Sequence, residues 1–143
     1  MSMTSPAPTT KEPIIALPTG RMVGSIVGLS ALTYAGWLAV VWVGGFGVEA
    51  VPAGLAGAAV VAVVGVAAAL LMRPWRPRPV SAWMTWWLGG IVVRLLVTPV
   101  VAYLLYSATS LSGTPLLLSV ATTYVIVQCG EAAVLALHIK RVT

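Results

Sequence analysis

The sequence predicts an all-α membrane protein, with four transmembrane helices in an up-down antiparallel bundle and both termini cytoplasmic. Three observations lead there. Of 143 residues, 59% are hydrophobic and only 8% are charged, where a soluble domain carries about 25% charged residues. So little polar surface cannot clothe a globule, and lipid must cover the rest. The apolar residues gather into four runs, at about 22–45, 51–72, 81–106 and 115–137. Each is long enough for the roughly 20 helical residues that cross a bilayer core. Finally, the basic residues fall on one side of the path these runs trace.

Residues 1–20, MSMTSPAPTTKEPIIALPTG, hold four prolines and several Ser and Thr. No long apolar stretch follows a basic start, so this is not the pattern of a cleaved signal peptide. It reads as a disordered or surface-lying tail. Residues 21–143 are then the four-helix transmembrane domain. In hydrocarbon the backbone must satisfy its own hydrogen bonds, which makes the runs helices. They lack the period-2 alternation of barrel strands.

The first run carries Gly20, Gly24 and Gly28 at four-residue spacing. Small residues so spaced allow close helix contact, which makes Gly24 and Gly28 candidate packing positions, within the chain or between two copies. Gly44, Gly45 and Gly47 loosen its end. The second run opens near Pro52, where a missing N–H costs nothing, and it carries Gly57, Gly65 and Ala69 as further small residues. Before the third run stands R-P-W-R-P-R-P, residues 73–79. Each proline pushes its predecessor toward extended backbone, so Arg73, Arg76 and Arg78 sit on a stiff basic connector. The fourth run opens at Pro115. Its Cys129, the sole cysteine, has no intramolecular disulfide partner and reads as a small packing residue.

Charge orients the helices. Lys11 and Arg21 precede the first, Arg73, Arg76 and Arg78 lie between the second and third, and Lys140 and Arg141 end the fourth. The other connectors hold only Glu49. By the positive-inside rule both termini and the basic connector are cytoplasmic. Trp75, Trp83, Trp86 and Trp87 lie near that side, as an interfacial aromatic belt would, and His138 falls at the same boundary as an anchor. Beyond orientation, the connector suits docking to anionic lipid or to an acidic partner. No basic or aromatic platform outside the membrane suits nucleic acid.

One basic residue stands apart. Arg94 lies in L-G-G-I-V-V-R-L-L-V, residues 88–97, near mid-bilayer by count, where burial costs roughly 2.5–3.5 kcal/mol on insertion scales. It needs an anion or a wet cavity. The third and fourth helices are joined by a short loop, and from its centre Arg94 is about 17 residues away and Glu131 about 20. The axial offset is about 5 Å at helical rise, which an arginine side chain spans, so a bidentate pair would neutralise both groups. Tyr124, Gln128, Glu131 and His138 share one face of the fourth helix by spacing. Gly90, Arg94 and Thr98 share one on the third, with Gly90 allowing a close neighbour. Pro99 frees the carbonyl of Leu95, beside Arg94. Two readings stay open. The pair locks the two helices, or one member meets an anion, a cation or a proton from outside the chain.

The chain has no phosphate-binding glycine loop, no Cys/His cluster and no Ser–His–Asp set. One histidine and three acids do not make a hydrolytic site or a carboxylate cage within one subunit. No enzymatic activity, cofactor or resident metal is expected.

Four helices, cytoplasmic termini and the third-helix pattern W-W-L-G-G-I-V-V-R-L-L resemble the ATP synthase protein I family of small membrane proteins. In that family the third helix commonly carries a glycine a few residues before a basic residue, as Gly90 and Arg94 do here; Glu131 is a looser match to a polar position in the last helix. The resemblance covers roughly residues 22–141 and implies a role in assembling the c-subunit ring of the rotary ATP synthase at the cell inner membrane. A c subunit bears an ion-binding carboxylate at mid-membrane depth, and Arg94 would serve it as a temporary counter-ion. The alternative is a small oligomeric channel or carrier for magnesium or protons, with Tyr124, Gln128 and Glu131 as its polar path. In either case the bilayer is one partner; a c subunit, another membrane protein or a second copy of the chain is the further one.

Overall fold

The computed structural model describes residues 12–142. Four helices carry the fold: α1 (Thr19–Gly44), α2 (Ala50–Leu71), α3 (Val80–Ala108) and α4 (Gly113–Val142). All four are long and apolar enough to cross a membrane, and the chain is a multi-pass membrane protein. Two short strands, β1 (Ile14–Ile15) and β2 (Arg78–Pro79), pair antiparallel, with Ile14 opposite Pro79 and Ile15 opposite Arg78.

Local chemistry sets the helix ends. α1 stops at Gly45, whose φ of 67° is the left-handed cap that glycine adopts without strain. α2 stops less comfortably: Arg73 takes φ 51°, a conformation that costs a residue with a Cβ about 1 kcal/mol or more. Pro74 follows it and bars a further turn. Prolines then hold 73–79 out of helix until α3 begins after Pro79. α3 outruns the span expected from hydropathy by one residue at its start and two at its end, and α4 by two and five, because polar residues such as Ser107 and Lys140 extend a helix past the apolar core.

Successive helices alternate in direction, but the packing is not that of a square bundle. α2 and α4, which run parallel, pack closely along the centre, and α1 and α3 flank them on opposite sides. The main core joins Ile26 of α1, Ala53, Val61 and Ala69 of α2, Ala102 of α3, and Leu116, Val120 and Val127 of α4. Missing side chains make this closeness possible. A Cβ on Gly54 would overlap the Trp37 indole, and one on Gly130 would overlap Leu29. One on Gly57 would lie 2.8 Å from the Ser119 hydroxyl oxygen and one on Gly65 3.0 Å from Ile26. The Trp37 indole N–H donates to Ala50 O (3.0 Å), and the Ser119 hydroxyl donates to Gly54 O (2.8 Å).

The other glycine expectation needs correction. Among the described residues Gly24 and Gly28 pack against nothing: a Cβ on either would have no neighbour within 4 Å. Their four-residue spacing is real, but the stripe faces outward, and Ile26 and Leu29 make the contacts of that stretch. Cys129 is likewise exposed rather than packed.

The tail also departs from expectation. Residues 1–11, Lys11 among them, lie outside the described residues. Residues 12–18, expected as part of a loose or surface-lying tail, are built into the protein. Ile15 and Leu17 are buried with Met22, Trp83 and Leu135 in a second core. Leu17 N–H donates to Pro74 O (2.9 Å). Trp83, expected in an interfacial belt, is 1% exposed, and its indole N–H donates to Ile15 O (2.8 Å). The Glu12 carboxylate accepts the backbone N–H and the hydroxyl of Ser81, so a residue far back in sequence caps the first turn of α3. This end of the bundle gathers Arg21, Arg73, Arg76, Arg78, Lys140 and Arg141.

Candidate functional site

Arg94 stands 14 residues from each end of α3, which spans Val80–Ala108, or about 21 Å from either end at helical rise. Lipid at that depth offers no counter-charge, and the protein supplies one. Arg94 Nη1 donates to Glu131 Oε2 of α4, an ion pair with side chains 3% and 1% exposed. The pair thus joins the two residues that loop counting brings to one depth. It exists because α3 and α4 meet antiparallel across the short segment 109–112.

The surroundings are polar but sparingly bonded. On α4 the fully enclosed stripe is Ser119, Thr123, Val127, Glu131 and Leu135, four residues apart and so stacked on one face. Tyr124 and Gln128 lie on the flank of that stripe, half-buried. The Tyr124 hydroxyl donates to Ile91 O of α3 at 3.3 Å. Among the described residues, Arg94 Nε, Glu131 Oε1, Gln128 Oε1, Thr123 Oγ1 and, on α1, Ser30 Oγ are buried with no hydrogen-bond partner. Buried polar atoms are nearly always bonded, so the pair and its neighbours keep hydrogen-bonding capacity in hand. A guanidinium has five N–H donors, and one of them makes the ion pair.

On α3, Arg94 and Thr98 are buried on the same face, and Gly90 is half-buried one turn earlier. Gly90 does admit a close neighbour, since a Cβ there would lie 3.2 Å from the Met72 methyl carbon. One turn the other way, a groove of about 390 Å³ parts α3 from α4, lined by Leu95, Thr98, Pro99, Ala121 and Tyr124 among others. Pro99 sits inside α3 without breaking it.

The basic connector divides in two. Arg73 and Arg76 are exposed. The Arg78 guanidinium stacks over two indoles, 4.6 Å from the Trp86 ring centre and 5.1 Å from that of Trp83, so it works inside the protein. His138 Nε2 lies 3.2 Å from Ala16 O, which ties α4 to the inbound tail.

Sequence reading missed Ser30, Thr123 and the Glu12 cap. Thr123 had a visible signal, since it precedes Glu131 by eight residues and hence shares its stripe. Ser30 and Glu12 had none, because their relevance depends on which helix faces they meet. Among the described residues no three His, Cys, Asp or Glu side chains converge as a metal site would require. Comparison with protein-family models, characterised proteins and solved structures finds no match to this chain.

Proposed function

We propose that this chain is a non-catalytic accessory protein of the cell inner membrane, with cytoplasmic termini, that assists assembly of the ATP synthase c-ring. The positive-inside distribution supports the orientation, and the resemblance to ATP synthase protein I supports the partner. The observation that carries the reading is Arg94, held at mid-span by a single carboxylate with donors to spare. A visiting helix with a carboxylate at the same depth meets a guanidinium that need not give up Glu131 first. The groove beside Thr98 and Pro99 gives that helix a place to part α3 from α4. A c subunit waiting to join the ring would have its own buried carboxylate neutralised on the way. The non-catalytic reading is supported by the chain's single histidine and by the single ion pair among the described residues.

A charge swap tests this without confounding function with folding. Arg94→Ala should lower recovery of intact c-ring from membranes. The double variant Arg94→Glu with Glu131→Arg should keep the pair and the bundle but not restore ring recovery, because the cation then stands on the wrong helix. Full ring recovery in the swapped protein would reduce the pair to an internal fastener and sink the proposal.

A second reading has its own observation in the unbonded buried atoms of Ser30, Thr123, Gln128 and Glu131. Polar groups in series inside a helical bundle are what a proton or cation path requires. Purified protein in liposomes would then move protons or magnesium, and Glu131→Gln would stop it. Flux no greater than in protein-free liposomes would remove this reading.

A further inference from the structure

The basic end contains a cleft that the ion pair and the connector do not explain. It opens between the start of α1 and the end of α4, holds about 460 Å³, and is lined by Pro18, Arg21, Gly24, Val134, Leu137, His138 and Arg141. Its make-up is two-sided. Arg21 and Arg141 stand at the rim, and His138 beside them is engaged with Ala16 O. Below them Val134 and Leu137 form an apolar wall, and Gly24 leaves the floor open with no neighbour within 4 Å of a Cβ. Gly28, one turn deeper and outside the lining of the cleft, is open in the same way.

Charge balance says what is missing. The chain has eight Lys and Arg but only three acids. Glu131 is taken by Arg94 and Glu12 by Ser81, and Glu49 lies at the far end, before α2. No carboxylate side chain remains to face Arg21 and Arg141. Neither guanidinium has an ion pair or side-chain hydrogen bond among the described residues. Two guanidinium groups on one cleft repel each other unless an anion joins them, and a phosphate diester does so by accepting from both.

We propose that this cleft binds one anionic phospholipid, with its phosphate between Arg21 and Arg141 and an acyl chain laid over Gly24 between α1 and α4. The site thus gives a role to the outward Gly24, which among the described residues makes no packing contact. It differs from the general attraction of a basic surface for an anionic leaflet, since it holds one lipid at one place. It also stands apart from any role of Arg94.

The test uses the full chain in detergent, exchanged against phosphatidylglycerol or phosphatidylcholine of the same acyl chains, with retained lipid counted by native mass spectrometry. Phosphatidylglycerol should be retained at least about tenfold better, as expected when one phosphate gains two charge-assisted contacts. Arg21→Gln with Arg141→Gln should erase the preference, and Gly24→Leu should lower retention with both charges intact. Arg73→Gln with Arg76→Gln should leave the preference in place. Equal retention of the two lipids overturns the proposal. So does a connector variant that loses as much as the cleft variant, which would mean diffuse attraction only. Displacement by millimolar inorganic phosphate would show a free-anion site, and a dimer abolished by Gly24→Leu would show a second copy in the groove. Either result also overturns it.

Discussion

α2 and α3 are both long apolar helices beside the same neighbour, α4, and they are held there by opposite means. α2 buries nine residues, all of them glycine, alanine or valine. α3, though longer, buries four: Trp83, Arg94, Thr98 and Ala102. In lipid the hydrophobic effect does not favour a helix neighbour over an acyl chain, so association rests on close packing or on polar contacts. α2 uses the first, spread along its length. α3 uses the second, concentrated at mid-span and at its start. A helix held at many small points resists any one change, whereas a helix held at two or three yields to a single loss, or to a single competitor.

The sharpest way to break this comparison is at the pair. Glu131→Ala should destabilise the bundle by about 3–5 kcal/mol, the usual result of leaving one buried charge alone, read as the shift in an SDS-unfolding midpoint in mixed micelles. Arg94→Met with Glu131→Met should recover most of that. If the double variant were as unstable as the single one, α3 would not depend on charge compensation. Next come the close approaches of α2 and α4 to α1, under Trp37 and Leu29. Gly54→Val and Gly130→Val should each cost about 1–3 kcal/mol through overpacking, while Gly24→Val and Gly28→Val should leave the same midpoint unmoved. A smaller effect is expected where the tail meets α3. Trp83→Phe removes one hydrogen bond, worth about 1 kcal/mol, and should speed amide exchange at residues 14–17 while sparing α2. Smallest is Glu12→Gln, which weakens the remote cap by about 0.5 kcal/mol; its effect should fade in high salt, since the contact is exposed.

The sequence made the four spans legible because length and hydropathy are sufficient for a helix that must cross lipid. The Arg94–Glu131 pair was legible too, because a short loop fixes which depths on α3 and α4 correspond. What it could not convey was the choice of face. Gly24, Gly28, Gly54 and Gly130 look alike in the chain, yet two meet open space and two lie under Trp37 and Leu29, since the spacing of glycines on one helix says nothing of what the next presents. The same gap hid the central pairing of α2 with α4, which are not consecutive. Ile14–Leu17 was too short for a hydropathy signal, and it gains meaning only when Trp83 and Pro74 arrive beside it. Trp83 itself reads as an interfacial residue from position alone; its N–H needed Ile15 O to take it inside.

The central pairing has a bearing on how the protein is made. A chain synthesised from its N-terminus delivers Arg94 to the bilayer 37 residues ahead of Glu131, and α2 ahead of the helix that completes its core. Until the fourth span is threaded, the third carries an unanswered cation and the second has no closing surface. The fourth span is therefore the keystone: maturation of this bundle in the membrane waits on it, and every nascent form that stops short of it holds an arginine free to be claimed by something else.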